Sequence, residues 1–197
     1  MPSLAAEGNI YPYVFDHKSL YYHFAEDWEA RGLLVRDSGN LFRGTFKMGL
    51  ELPFRTGEDL KKFCDWCYGN FDLFIFSAEK SDPEELTFEL RKNADFIVAT
   101  PDSNIEDIES DADYFAALAE EGRVLLSKVR YVAWNHDEGE LSSEQIINIV
   151  GKDRFLGAVG KSETYRKKKN RTAEADSFTA EPETAGQYEE ILKRLIG

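Results

Sequence analysis

The sequence predicts a single α/β domain over residues 1–197, with a mostly parallel sheet flanked by helices on both faces. Three observations carry that expectation. Helical and short apolar segments alternate along nearly the whole chain, as they do in βα units joined by crossovers. The segments FDLFIF (71–76) and FIVAT (96–100) are almost continuously apolar, the mark of strands covered on both faces. A length of 197 residues with 42% hydrophobic and 13% aromatic content suits one sizeable core and opposes global disorder.

The elements follow in order. Residues 9–15 (NIYPYVF) are aromatic and β-branched enough for a strand, and Pro12 favours an edge or a short segment. Leu20, Phe24, Ala25 and Trp28 fall at helical spacing within 18–31, and Gly32 suits the C-terminal cap. Residues 33–36 read as a compact strand, 37–49 as a loop rich in Gly, Ser and Asn, and 50–54 as another short strand. A helix over 58–68 would bury Leu60, Phe63, Cys64 and Cys67.

After the strand at 71–76, Asp82-Pro83 opens a helix with Glu84 and Glu85 in its first turn. Leu86, Leu90 and the apolar stem of Arg91 would face the sheet. A buried strand at 96–100 ends at Pro101-Asp102. The next helix, 105–121, carries Ile105, Ile108, Phe115, Leu118 and Ala119 on one stripe, while Glu106, Asp107, Glu109, Asp111 and Asp113 form a solvated acidic face. A strand over 124–132, a helix over 142–150 and a last strand over 155–159 follow. A polar loop at 170–184 precedes a closing helix over 185–196.

Charge bounds the partners. A net charge of −13 and a pI near 4.7 oppose non-specific binding to nucleic acid or anionic membrane, except through a local basic patch. No apolar run approaches the roughly 18–20 residues of a membrane span. The opening MPSLAAEGNI has neither a basic nor an apolar leader region, so the expected location is the cytoplasm. Cys64 and Cys67 form C-D-W-C within a helical pattern and have no second pair to complete a metal site. They are expected to be reduced and packed as small apolar residues. The histidines, His17, His23 and His136, have no ligand spacing, and no metal is expected.

From Phe71 onward the order of features resembles the ParA/MinD family of partition and positioning ATPases. Phe71-Asp72 opens a buried strand, a helix follows, and Ala94-Asp95 leads the strand that ends near Pro101. A long helix comes next, then the apolar stretch from Val124 to Val129, where the family's strand normally ends in a base-reading Asn. Phe155-Leu156-Gly157-Ala158-Val159 leads into Ser162-Glu163-Thr164-Tyr165-Arg166, close to the family's passage from a glycine strand to S-E-x-Y-R. The resemblance covers about four-fifths of the chain and implies a P-loop NTPase-like three-layer fold, with a role in positioning DNA or other cargo.

Departures from the family pattern are concentrated where phosphate chemistry belongs. A phosphate loop needs glycine so that bare backbone N–H groups wrap the ligand. Before Lys18 the chain reads Tyr11-Pro12-Tyr13-Val14-Phe15-Asp16-His17, without a glycine, and the family's signature lysine has no counterpart. Ser77 stands where the family places its magnesium-side Asp. Arg36-Asp37-Ser38-Gly39-Asn40 keeps the ending of the family's Asp-rich turn, with Asp37 displaced by one residue. Phosphoryl transfer depends on positioning and charge stabilisation, so these losses together predict no turnover.

The candidate site residues each carry two readings. Lys18 and Ser19 are either a residual nucleotide-binding pair for ATP and magnesium or an ordinary helix start, and the missing glycines favour the second. Asp37 is either a remnant carboxylate or a turn former. Arg166, Lys167, Lys168, Lys169 and Arg171 make the one basic cluster, a patch for DNA phosphates or an acidic partner, or a solvated face. His136 beside Asp137 suggests acid–base chemistry, although no nucleophile lies nearby in the sequence.

The expected function is therefore a non-hydrolysing interaction or adaptor component in DNA partition, conjugation or cargo positioning. It would have a protein partner, form a homodimer and need no cofactor. One alternative is an ATP-binding partition ATPase with an atypical loop. Another is an unrelated α/β enzyme with Ser77, Glu79, Thr100, Asp102 and Ser127 at the carboxyl ends of its strands.

Overall fold

The computed structural model of the chain describes residues 12–16, 35–38, 41–44, 73–77, 84–139, 141–161 and 182–196, together with the helical positions Glu58, Lys61, Lys62, Cys64, Asp65 and Tyr68. The chain divides into two compact units, Met1–Asn93 and Ala94–Gly197.

The first unit holds a four-stranded sheet in the order β2-β3-β1-β4. Its strands are β1 (Pro12–Asp16), β2 (Val35–Ser38), β3 (Leu41–Gly44) and β4 (Leu73–Ser77). β1 runs parallel to both β3 and β4 and so lies inside the sheet. It is short, as Pro12 suggests, but it is not an edge. Pro12 occupies the first position of the strand, where its missing N–H is tolerated.

β2 and β3 pair antiparallel, which corrects the loop expected over 37–49. Only Gly39-Asn40 separates them in the sequence, a hairpin signal. The register shifts between Arg36 and Ser38, which makes Asp37 the extra residue of a bulge rather than part of a free turn.

Cys64 is buried, and burial pushes its thiol up to about 11. A thiol so shifted stays protonated and inert, as expected for Cys64, while Cys67 lies outside the described residues. Tyr68 donates its hydroxyl to the Asn93 carbonyl at 2.5 Å, tying this helical segment to the end of α1 (Glu84–Asn93). In α1 the buried Arg91 pairs with the half-exposed Glu84. The strand expected at 50–54 lies outside the described residues.

The second unit is built on a three-stranded parallel sheet, β5-β6-β7. Its elements are β5 (Ile97–Ala99), α2 (Ile105–Glu120), β6 (Val129–His136), α3 (Ser143–Val150), β7 (Phe155–Gly160) and α4 (Pro182–Ile196). Alternate side chains of β6 serve two cores. Val129, Tyr131 and Ala133 pack with Ile108, Phe115 and Leu118 of α2 and with Ile146 and Val150 of α3. Val132 packs with Leu156, Val159 and Ile191 of α4 on the other side, with Trp134 and Tyr188 against them. Helices therefore cover both faces of a parallel sheet, as the sequence predicts.

Several boundaries move. The strand expected over 124–132 begins only at Val129 and runs on to His136, after a 3-10 turn at Leu126–Lys128. The apolar run was misleading because Leu125 is 62% exposed. The Lys128 ammonium instead donates to the Ala94 carbonyl at 2.7 Å.

The stretch 96–100 is not wholly buried: β5 has one neighbour in this sheet, and Phe96 and Val98 are exposed. Phe96 lies under the Arg130 guanidinium, 5.5 Å from its ring centre. Ile105 is exposed, while Asp111, expected on the acidic face, is buried on the inner side of α2. The closing helix starts at Pro182 rather than 185, because proline suits a first helical position. Thr184, expected in the polar loop, is buried within it.

Two substitutions separate core from surface. Ile108→Ala removes a fully buried side chain and should lower the unfolding free energy by about 2–5 kcal/mol. Leu125→Ala should change it by no more than about 0.5 kcal/mol. Urea unfolding followed by circular dichroism measures both, and equal effects would contradict this core.

Candidate functional site

In open α/β sheets ligands meet the chain at the carboxyl ends of parallel strands. In the first unit the register brings Asp16, the last residue of β1, opposite Ser77, the last of β4. Of the residual nucleotide-binding candidates, Asp37 lies in the β2 bulge, while Lys18 and Ser19 are outside the described residues. Arg166, Lys167, Lys168, Lys169 and Arg171 lie outside them as well, as does Glu79.

In the second unit the carboxyl ends of β5 and β6 are stitched together. Trp134 donates its backbone N–H to the Pro101 carbonyl at 2.8 Å, and Ser103 donates its own to the Trp134 carbonyl at 2.7 Å. Asp102 and Trp134 form a parallel bridge. The segment then enters α2 through Asn104, whose side chain accepts from the Asp107 N–H at 2.8 Å, a side-chain cap of an otherwise unpaired helix donor. Asn135 has a left-handed backbone, φ 53°, a conformation Asn tolerates better than most residues. Its side-chain amide donates to the Asp102 carboxylate at 2.7 Å.

His136 sits at the centre of a second set of contacts. Ser103 Oγ lies 2.7 Å from its Nδ1, and Glu138 Oε2 lies 2.5 Å from its Nε2. Glu138 also accepts from the Ser143 N–H at 3.1 Å and from the Ser143 hydroxyl at 3.2 Å, at the first residue of α3. Ser142 caps that helix in a reciprocal capping box with Gln145.

The imidazole is nearly buried, its side chain 10% exposed, whereas Glu138 is exposed. An ionised carboxylate only accepts, so the tautomer that satisfies both contacts carries its proton on Nε2, towards Glu138. Nδ1 is then bare and accepts the Ser103 hydroxyl.

His136 thus takes Glu138 as its acid partner rather than Asp137. Asp137 instead faces Lys161, with 3.6 Å between Oδ2 and Nζ, and accepts from the Gly139 N–H. Ser103 lies 33 residues upstream of His136, a pairing that sequence adjacency cannot reveal. Ser127 falls in the 3-10 turn before β6, at the opposite end of that strand from Asp102, so it does not join Thr100 and Asp102 in the crevice expected from Ser77, Glu79, Thr100, Asp102 and Ser127. Among the described residues no group of three His, Cys, Asp or Glu side chains is placed to hold a metal ion.

The His136 hydrogen bond, followed by that from the Ser143 N–H, holds the Glu138 carboxyl below its usual value of 4.5. A carboxylate with a depressed folded pKa contributes stability above its unfolded pKa and loses it as pH falls through the folded one. Wild type should therefore melt above Glu138→Gln at neutral pH, and the gap should shrink progressively below about pH 4.5. Thermal melts across pH measure it, and a gap that widened in acid would contradict this hydrogen-bonding arrangement.

No protein-family model and no curated protein sequence matches the chain. Solved structures do. A plasmid partition protein of Borrelia burgdorferi B31 bound to AMPPNP aligns at a TM-score of 0.69 and 15% identity, over 99% of this chain and 88% of that one. A ParA family ATPase of Chlorobium tepidum TLS aligns at 0.66 and 11%, over 98% and 85%. The septum site-determining protein MinD of Pyrococcus horikoshii OT3, complexed with Mg-ADP, also aligns at 0.66 and 11%, over 98% and 86%. The chain has the ParA/MinD fold, a parallel-sheet P-loop NTPase architecture.

Proposed function

We propose that this chain is a ParA/MinD-like protein of DNA partition, conjugation or cargo positioning that works by binding and does not hydrolyse ATP. The observation that carries this reading is the pairing of Asp16 with Ser77 at the carboxyl ends of two parallel strands. In the sequence, an acidic residue ends β1 where a phosphate would approach, and Ser77 stands where the family places its magnesium-side Asp. The glycine-free approach to Lys18 and the absent signature lysine point the same way. On this reading residues 1–197 are one domain, the protein is a cytoplasmic homodimer, and its partner is another protein. Lys18, Ser19 and Asp37 then have structural roles.

One observation favours a second reading, retained nucleotide binding without turnover. The later start of β6 brings Asn135 to its carboxyl end, where the family carries its base-reading Asn, and Asp102 orients the amide.

Calorimetric titration with ATP and magnesium, run beside a phosphate-release assay, distinguishes the two. The expected outcome is no phosphate release above buffer. Micromolar binding with steady turnover would sink the proposal, and binding without turnover that Asn135→Ala abolishes would establish the second reading. The basic cluster is tested separately. Replacing Lys167, Lys168 and Lys169 by Ala should abolish salt-sensitive retention on duplex DNA, and retention unchanged by the triple substitution would rule out that patch.

A further inference from the structure

We propose that Ser103 is an activated nucleophile, with His136 as its base and Glu138 as the orienting carboxylate, and that it accepts the acyl group of short neutral or cationic esters. The three side chains form a continuous relay, with Ser103 Oγ 2.7 Å from His136 Nδ1 and His136 Nε2 2.5 Å from Glu138 Oε2. Nucleophile, base and third orienting group within hydrogen-bond reach are the structural signature of an activated hydroxyl. The roles are defined by geometry and not by order in the chain.

The proton is already placed for the reaction. Glu138 holds the Nε2 proton, so the lone pair of Nδ1 faces the serine hydroxyl. Each member is also fixed by its surroundings. The Ser103 backbone is bonded to Trp134, and Glu138 is held by the N–H and hydroxyl of Ser143. The nearly buried imidazole has little freedom to turn away.

In the reaction the Ser103 oxygen attacks the ester carbonyl carbon and passes its proton to His136 Nδ1. The carbon–oxygen bond to the alcohol breaks, and that alcohol leaves with the proton from Nδ1. Water then attacks the acyl-serine, giving a proton to Nδ1 that returns to Ser103 as the carboxylic acid departs. No oxidant, reductant or metal is required.

Charge and apolar surface set the substrate class. The segments meeting at the relay carry Asp102, Glu106, Asp107, Asp137 and Glu138, with Lys161 paired to Asp137. An anionic acyl group would be repelled. Ile105, two residues beyond Ser103, is 48% exposed and offers apolar contact to a short chain.

The test uses the full chain and a fluorophosphonate probe, which captures activated serines, with adducts located by mass spectrometry. We expect one adduct on Ser103, absent from Ser103→Ala and formed about 100-fold or more slowly by His136→Gln. The protein should also cleave p-nitrophenyl acetate faster than p-nitrophenyl hemisuccinate. No adduct, or an adduct that survives Ser103→Ala, would overturn the proposal. If circular dichroism shows that His136→Gln has unfolded, Glu138→Gln decides. It leaves the serine and imidazole in place and should slow labelling about tenfold or more, and an unchanged rate would again overturn the proposal. None of these readouts depends on nucleotide or DNA binding.

Discussion

The two-sided burial of β6 is the constraint on which the second unit depends. Val129, Tyr131 and Ala133 face the core shared with α2 and α3, while Val132 faces the core shared with α4. A one-residue slip would exchange the two sets and send every side chain to the wrong face. The register of β6 is therefore strongly specified, and everything beyond its carboxyl end inherits that precision. Lys128 at one end bonds to Ala94, and Trp134 at the other bonds to both Pro101 and Ser103. Gly157 in β7 completes the fit: it sits at φ 152°, and a Cβ there would lie 3.1 Å from Ile191. The close approach of α4 thus depends on a missing side chain.

Much of the architecture is legible in the sequence, for identifiable reasons. FDLFIF and FLGAV read as strands because short apolar runs bounded by turn residues have few other uses. The Ser142 to Gln145 spacing writes the start of α3 directly into the chain. The misreadings have a common physical origin. Leu125 and Leu126 continue an apolar run, yet the strand begins where alternation begins, at Val129. Asp111 has the charge of its neighbours on α2 but faces inward, because helical phase and not composition decides burial. Pro12 marks a strand start as readily as an edge, and only the pairing of β1 with both β3 and β4 settles which.

The candidate site was less legible than the fold. His136 and Asp137 are adjacent in sequence, but neighbouring residues at a strand end point in different directions. The imidazole finds Glu138 two residues on and Ser103 from a different strand's end. Only the parallel pairing of β5 with β6 and the bridge at Asp102 bring these groups together. The same geometry moves Asn135 into a position that the expected strand boundary had hidden. In the first unit the register sets Asp16 opposite Ser77 at neighbouring strand ends.

The capping box at the start of α3 also bears on the order of assembly. Contacts such as Ser103 with His136 and Lys128 with Ala94 join residues 33 and 34 positions apart. Every strand pairing in this sheet likewise closes across an intervening helix. Such non-local closure costs chain entropy before it yields any stabilisation, which slows folding. Caps made within three residues, Asn104 with Asp107 and Ser142 with Gln145, cost almost none. They stabilise the starts of the two crossover helices locally, and a helix formed early shortens the effective loop that the strands must then close. Local hydrogen bonds whose equilibrium contribution is modest would in this way govern how fast the sheet, and the side-chain relay at its end, comes into being.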